Sequence, residues 1–213
     1  MRGCRASTLA LLAVALGSGC SKPAEPPRAA APPAAANRTA TGANAAAGTV
    51  VGTVHAAGTA VVVLEPKGER TFPPQRDKPV MDQVGLTFGP ELLLVRTGQP
   101  VEFRNNDDTL HNVNVKHEET REQAFNVAIP TGGAYEHTFP RDGFYRVGCD
   151  IHPAMAASIF SASTPYTAVA GSDGRFTFAD VPAGAWTITV YAGGRRLQTE
   201  LEVKGAVTEV TIE

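Results

Sequence analysis

The stretch Gly148-Cys149-Asp150-Ile151-His152-Pro153-Ala154-Met155 carries a thiol, an imidazole and a thioether on one short loop. A second imidazole, that of His111, lies 38 positions before Cys149. Two imidazoles, one thiolate and a weak axial thioether form the ligand set of a blue-copper centre. We therefore expect one type 1 copper ion to be bound by four side chains: His111, Cys149, His152 and Met155.

The chemistry of these side chains assigns a role to each. As a thiolate, Cys149 gives the strong bond through which an electron reaches the metal, and the neutral rings of His111 and His152 complete a trigonal plane. Met155 offers a long axial contact from a soft sulfur atom, which favours Cu(I) and tunes the reduction potential.

Other kinds of site built from the same residue types require further residues that this stretch does not supply. A structural zinc site needs four strong Cys or His ligands, and three are present. Covalent haem attachment needs CxxCH, whereas the run around Cys149 has a single cysteine. A Cys-His hydrolase brings its partners together from distant positions and adds an orienting residue. The three histidines that remain stand among polar neighbours and are interpreted as surface residues: His55, His117 and His137.

Short apolar runs alternate with Gly, Pro, Asn and Asp from residue 49 onwards, and this pattern predicts an antiparallel sandwich or barrel. The one candidate helix, 118–126, is polar, and a solvated turn explains it equally well. The predicted strands are 49–54, 60–64, 85–88, 92–95, 101–104, 111–115, 134–139, 143–148, 156–160, 175–178, 185–191, 197–203 and 207–212.

Residues 80–162 resemble a small cupredoxin, the fold of plastocyanin and amicyanin. The resemblance rests on Gln99-Pro100-Val101-Glu102-Phe103-Arg104-Asn105-Asn106-Asp107, which leads into His111-Asn112-Val113, and on Tyr145-Arg146-Val147-Gly148-Cys149, which leads into the ligand loop. The CxxHxxM spacing is more similar to amicyanin than to the longer plastocyanin loop. The resemblance implies a Greek-key β-sandwich that carries a type 1 copper site.

The same resemblance implies roles for residues beside the ligands. Asn112 would donate its backbone N–H to the cysteine sulfur and tie the two ligand loops together through its side chain. Pro153 and Ala154 would form a small apolar rim around the exposed edge of His152, where electrons leave.

Residues 163–213 resemble the carboxypeptidase regulatory-like sandwich, which is related to the transthyretin fold. The resemblance rests on Ala168-Val169-Ala170-Gly171-Ser172-Asp173-Gly174-Arg175-Phe176-Thr177-Phe178 and on Val181-Pro182-Ala183-Gly184-Ala185-Trp186-Thr187-Ile188-Thr189-Val190. Residues 49–66 either open this second sandwich or form the first cupredoxin hairpin. The predicted fold class is all-β, a cupredoxin Greek-key sandwich plus a second small transthyretin- or Ig-like sandwich.

The first nineteen residues have the pattern of an export signal. Arg2 and Arg5 precede an apolar run at 9–16, which is too short to span a membrane. The small residues Gly17-Ser18-Gly19 stand before Cys20, which resembles bacterial lipoproteins, whose chain is cleaved before a cysteine that is acylated. Ordinary cleavage with no role for Cys20 is the alternative. Acylation predicts a periplasmic protein on a membrane, and Ser21 favours the outer membrane.

Residues 20–48 are rich in Ala and Pro and predict a disordered tether. Five of the 19 Lys and Arg residues and one of the 21 Asp and Glu residues lie before residue 49, which leaves 14 against 20 and a formal charge of −6 beyond it. This acidic balance argues against nucleic acid as a partner. Once Cys4 leaves with the signal and Cys20 is acylated, Cys149 has no cysteine left for an internal disulfide.

These observations predict a single-copper electron carrier that meets redox proteins transiently while a lipid anchor holds it outside the cytoplasm. We expect no enzymatic activity, because oxidase or nitrite-reductase chemistry requires further copper centres. A non-redox module that stores copper or binds surfaces is the alternative.

Overall fold

The structure, a computed structural model, describes residues 47–213, all within the compact unit Gly42–Glu213. The predicted signal 1–19, Cys20 and nearly all of the tether lie outside the described residues. None of the described residues belongs to a helix that could cross a membrane. The strands are β1 Gly48–Val54, β2 Ala60–Pro66, β3 Val80–Val84, β4 Thr87–Gly89, β5 Leu92–Arg96, β6 Pro100–Asn105, β7 His111–His117, β8 Gln123–Ile129, β9 Ala134–Thr138, β10 Gly143–Gly148, β11 Ala156–Ala162, β12 Thr167–Val169, β13 Arg175–Val181, β14 Gly184–Ala192, β15 Arg195–Val203 and β16 Val207–Ile212.

The first sandwich consists of a five-stranded sheet, β5-β11-β10-β7-β8, and a four-stranded sheet, β4-β3-β6-β9. Side chains alternate between the two faces of a strand, so one face of each sheet can be buried. The inward faces enclose an apolar core that includes Met81, Phe103, Phe139 and Ile159, each inaccessible to solvent. The all-β prediction is confirmed, since no helix occurs among the described residues.

Strand pairing determines where the expected ligands meet. In the pairing of β7 with β10, Asn114 lies opposite Gly148. The start of β7 and the end of β10 therefore lie at the same end of the sheet. We call this end of the first sandwich the ligand pole.

The second sandwich pairs the sheets β13-β1-β16 and β12-β2-β14-β15. The strand β1 lies antiparallel to β13 and parallel to β16, while β2 lies between β12 and β14. Residues 49–66 thus pair with strands of the C-terminal segment. The buried indole of Trp186 anchors this core, and its Nε1–H donates to the Pro182 carbonyl at 2.9 Å.

A small apolar cluster joins the two sandwiches. Val61 and Val63 of β2 pack with Phe160 and Ala162 of β11, and all four are buried. Tyr191 of β14 also contacts Phe160, with ring centroids 5.1 Å apart. The second sandwich therefore covers the end of the five-stranded sheet that is remote from the ligand pole.

Two local expectations are corrected. Of the two alternatives for residues 118–126, the helix is wrong and the turn is found at 118–120, after which β8 pairs with β7 along its length. Residues 85–88 are not one strand, because Gly85 and Leu86 form the turn between β3 and β4, both with positive φ. Paired positive φ values match the right-handed twist of a tight hairpin.

Candidate metal centre

Three elements of the first sandwich bring the expected ligands to the ligand pole. His111 is the first residue of β7, and Cys149 follows the last residue of β10. His152 and Met155 lie on the loop that connects β10 to β11. One loop therefore supplies three of the four side chains, and the neighbouring strand supplies the fourth.

The side chains of His111, Cys149 and His152 point at one another. The two Nδ1 atoms are 3.0 Å apart, and Cys149 Sγ lies 3.9 Å from each of them. A metal with bonds of about 2.0–2.1 Å to nitrogen and about 2.3 Å to sulfur spans such separations. The donor set fits a single ion held by one thiolate and two imidazoles.

Met155 closes the ligand loop. Its backbone N–H donates to the His152 carbonyl at 2.9 Å, and its carbonyl accepts the N–H of Cys149 at 3.3 Å. The side chain is 2 % exposed and packs in the core of the first sandwich. Because both hydrogen bonds lie within the loop, they hold the thiol, the imidazole and the buried thioether in one compact turn.

Asp107 sets the orientation of the His111 ring. His111 Nε2 lies 3.0 Å from Asp107 Oδ2 and donates its proton there, which leaves Nδ1 with a lone pair. The backbone N–H of Leu86 also donates to this oxygen, at 2.8 Å. The Leu86 N–H and then the His111 ring lower the pKa of Asp107 from 3.8 to about 2. The carboxylate is therefore ionised at neutral pH and keeps His111 ready to bind a metal.

Asn112 ties the two ligand segments together through its side chain. Its Oδ1 accepts the backbone N–H of Asp150 at 2.7 Å and lies 3.2 Å from Cys149 Sγ, whose thiol donates to it. Its Nδ2 donates to Asn126 Oδ1 at 2.8 Å. The described contact between Asn112 and the sulfur thus runs through Oδ1, whereas the family resemblance implies the backbone N–H.

Asp150 is surrounded by amide groups. Asn112, Asn114 and Asn126 all donate Nδ2 protons to its carboxylate. The amides of Asn114 and then Asn126 lower the pKa of Asp150 below its ordinary value. A carboxylate one position after the expected thiolate ligand is thereby kept ionised.

Part of the surface of the ligand pole is formed by exposed apolar or small residues. Pro153 and Ala154 are exposed, and His152 is half-buried, whereas His111 is inaccessible. Ile151 and Leu110 are 47 % and 49 % exposed and flank the ligands in the sequence. The apolar rim expected from Pro153 and Ala154 stays a prediction. We include the exposed side chains of Ile151 and Leu110 in this rim.

The other histidines differ from one another. His117 is buried, so its interpretation as a surface residue is wrong: its Nδ1 accepts the Thr120 N–H at 3.2 Å, and Tyr145 packs edge-on against its ring. His137 is half-buried between Phe125 and Phe139, and burial lowers its pKa. His55 is exposed.

The sequence patterns assign no role to Asp107 or Asp150. A carboxylate four residues before a histidine is a weak signal, because only the turn of the intervening residues brings the two together. The asparagines around Asp150 come from two strands, and no spacing in the sequence marks them as neighbours.

Residues 77–160 match the family model described as copper binding proteins, plastocyanin/azurin family. The matched part contains all four expected ligands and covers less than half of the chain. It supports a cupredoxin domain whose metal is copper.

Several solved structures are similar over part of the chain. A purple cupredoxin from Nitrosopumilus maritimus is 22% identical, with 40% of this chain and 100% of that chain covered and a TM-score of 0.37. A mutant amicyanin in its oxidized state is 26% identical, with 40% and 82% covered and a TM-score of 0.37.

A copper-containing nitrite reductase from Thermus scotoductus SA-01 is 25% identical, with 47% of this chain covered but 26% of that enzyme, and its TM-score is 0.38. TM-scores this low do not establish a function. No curated protein shows significant similarity to this chain. The family match therefore supports a copper-binding cupredoxin domain in the part of the chain that holds His111, Cys149, His152 and Met155.

Proposed function

We propose that this protein is an electron carrier with a single type 1 copper ion, held outside the cytoplasm at a membrane surface. The observation that carries the proposal is the convergence of one buried thiol and two ring nitrogens, within 4.8 Å of one another, in a domain matched by a copper-binding family. Copper bound there would supply a one-electron couple between Cu(I) and Cu(II).

Electron transfer requires of the protein that the metal ligands move little when the copper ion changes its oxidation state. Asp107 holds the His111 ring, and hydrogen bonds within the loop hold Cys149 and Met155. Asn105 braces the segment before His111, because its Nδ2 donates to the carbonyls of Thr109 and Ile129 at 2.8 and 2.7 Å. Ligands fixed in this way can serve both oxidation states without rearranging.

Electrons would leave through the half-buried edge of His152. The residues that flank the two histidine ligands in the sequence are small or apolar and exposed: Leu110, Ile151, Pro153 and Ala154. Transient redox interfaces are small, and an uncharged rim lets partners dock and release quickly. The partners proposed are redox proteins, and neither nucleic acid nor an enzymatic substrate is proposed.

The location and the division into domains are proposals as well. Cleavage before Cys20 and its acylation would anchor the chain in the periplasm, with the outer membrane favoured by Ser21, and residues 20–48 would be the tether. Residues 49–66 and 163–213 would form one discontinuous sandwich into which the cupredoxin, 80–162, is inserted. The pairing of β1 and β2 with C-terminal strands supports this division.

Voltammetry and electron self-exchange of the copper-loaded chain test the function. A reversible one-electron wave is expected. Ala154→Glu should slow self-exchange about fivefold, because two copies would then meet with like charges on their rims. The matched control is Ala179→Glu, at an exposed alanine of β13 in the second sandwich, which should keep the wild-type rate. Absence of the wave would refute the function, and equal rates for all three proteins would place the exit elsewhere.

A further inference from the structure

The carboxylate of Asp150 has contacts that ligand binding does not require. Its Oδ2 accepts protons from Nδ2 of Asn112 at 2.9 Å, of Asn126 at 2.9 Å and of Asn114 at 3.2 Å. Its Oδ1 accepts a second contact from Asn114 Nδ2 at 2.9 Å. We call these four residues the asparagine cage.

The asparagine cage joins three elements of the first sandwich. Asn112 and Asn114 belong to β7, Asn126 belongs to β8, and Asp150 is the second residue of the ligand loop. Hydrogen bonds to an ionised group are roughly twice as strong as neutral ones. The cage therefore fixes the start of the ligand loop against the strand that carries His111.

The asparagine cage binds the Asp150 carboxylate without neutralising its negative charge. The ion pairs among the described residues lie elsewhere, so the neutral amides are the hydrogen-bond partners of this carboxylate, and Lys116 adds a smaller favourable charge from a distance. Asp150 directly follows Cys149, and a negative charge near a metal favours the more highly charged oxidation state. Solvent screens part of this effect, because Asp150 is exposed on its outer side.

We propose that Asp150 is a positioning residue of the metal centre: held by Asn112, Asn114 and Asn126, its carboxylate fixes the ligand loop and lowers the reduction potential of the bound copper. The redox part rests on the proposed function. The positioning part rests on the hydrogen bonds alone and can be tested without metal.

The variant Asp150→Asn separates the effect of the negative charge on the reduction potential from the effect of the hydrogen bonds on the position of the ligand loop. Asn114 Oδ1 is buried without a hydrogen-bond partner, so a half-turn of that amide lets it accept a proton from the new side chain. The network is then kept while the charge is lost. We expect a higher reduction potential, an unchanged visible spectrum and, in the metal-free protein, only the small rise in the rate of Cys149 modification by a thiol reagent that loss of the neighbouring negative charge causes.

Asp150→Ala removes both charge and network. We expect the same rise in potential and about tenfold faster modification of Cys149 in the metal-free protein, since lost hydrogen bonds to a charged group ease opening of the loop by about that factor. Asp173→Asn, at an exposed aspartate of the second sandwich, is the control and should match wild type in both measurements.

Each measurement tests one part of the proposal. A wild-type potential in Asp150→Asn would overturn the electrostatic part, and equal thiol rates in Asp150→Ala and Asp150→Asn would overturn the positioning part. Failure of the wild-type protein to form a redox-active copper centre would refute the proposed function and the electrostatic part, while the thiol rates would still decide on positioning.

Discussion

The two sandwiches differ in what they bury. At its ligand pole the first buries Gln83, Asn105, His111 and Asn112, whereas the second buries one polar side chain of its own strands, Thr189, among the described residues. Burying a polar group is unfavourable unless it is hydrogen-bonded. Two further polar side chains of the first sandwich, His117 and Ser161, are buried at its other end. Most of the cost is nevertheless accepted at the ligand pole and met by a hydrogen-bond network, which indicates that the function is concentrated there.

The second sandwich is organised around an apolar core. Trp186 is inaccessible and packs with Phe72 and Tyr166, whose ring centroids lie 6.4 and 5.4 Å from its own. Such a core stabilises the chain without placing reactive groups together. Stability and chemistry are thus assigned to different regions, and the predictions that follow test this separation.

The largest effect is expected from Trp186→Ala. Truncation of a fully buried tryptophan should lower the free energy of unfolding by about 3–5 kcal/mol. Denaturant titration of the metal-free protein measures this loss. Copper absorption of the protein that remains folded should match wild type. A shifted absorption band would show that the second sandwich shapes the metal centre and would break the separation.

A smaller effect, confined to the ligand pole, is expected from Asp107→Asn. An amide can turn its oxygen towards His111 Nε2 but no longer carries the charge that raises the basicity of the ring. Loss of such a carboxylate partner lowers metal affinity by about 10- to 100-fold. Competition with a chelator measures the affinity, and Asp173→Asn serves as the control. Equal affinities for wild type and Asp107→Asn would mean that Asp107 does not act on the ligand.

The smallest effect concerns His137, on β9 of the first sandwich. Burial lowers its pKa in the folded state, so the unfolded chain binds the proton more readily as pH falls through 6.5. Stability contributed by the neutral ring is therefore present above that pH and declines below it. His137→Phe should flatten the fall in unfolding free energy between about pH 7 and about pH 5. Denaturant titrations of metal-free wild type and His137→Phe at the two pH values measure this fall. An equal fall in both proteins would contradict the prediction.

Sequence patterns predicted the convergence of His111, Cys149 and His152 better than they predicted the residues around them. His111, Cys149 and His152 could be named because metal ligands need particular atoms, and a loop of CxxHxxM spacing can present three of them. The strand β8 was missed because it is an edge strand with a polar outer face. Its inward residues, Phe125, Val127 and Ile129, alternate as a strand requires, but a register shift in β7 between Val115 and Lys116 interrupts the ladder just where β8 begins.

The carboxylates could not be predicted for a different reason. Asp107 reaches His111 because Asn105 and the Leu86 turn hold the intervening segment, and Asp150 meets asparagines from two strands. These contacts depend on sheet register and turn geometry, which a local pattern does not contain. Aspartates in a sequence usually indicate loops, and no sequence pattern distinguishes Asp107 and Asp150 from the others.

Copper titration of the full chain, followed by visible absorption and metal analysis, tests the central claim most directly. One equivalent of Cu(II) should saturate the protein and produce an intense blue band, because copper held by the Cys149 thiolate and the imidazoles of His111 and His152 would have the ligand set of a blue-copper centre. Cys149→Ser should keep the β-sheet circular dichroism and lose the band. A wild-type protein that binds copper without this band, or a Cys149→Ser variant that retains it, would contradict the account.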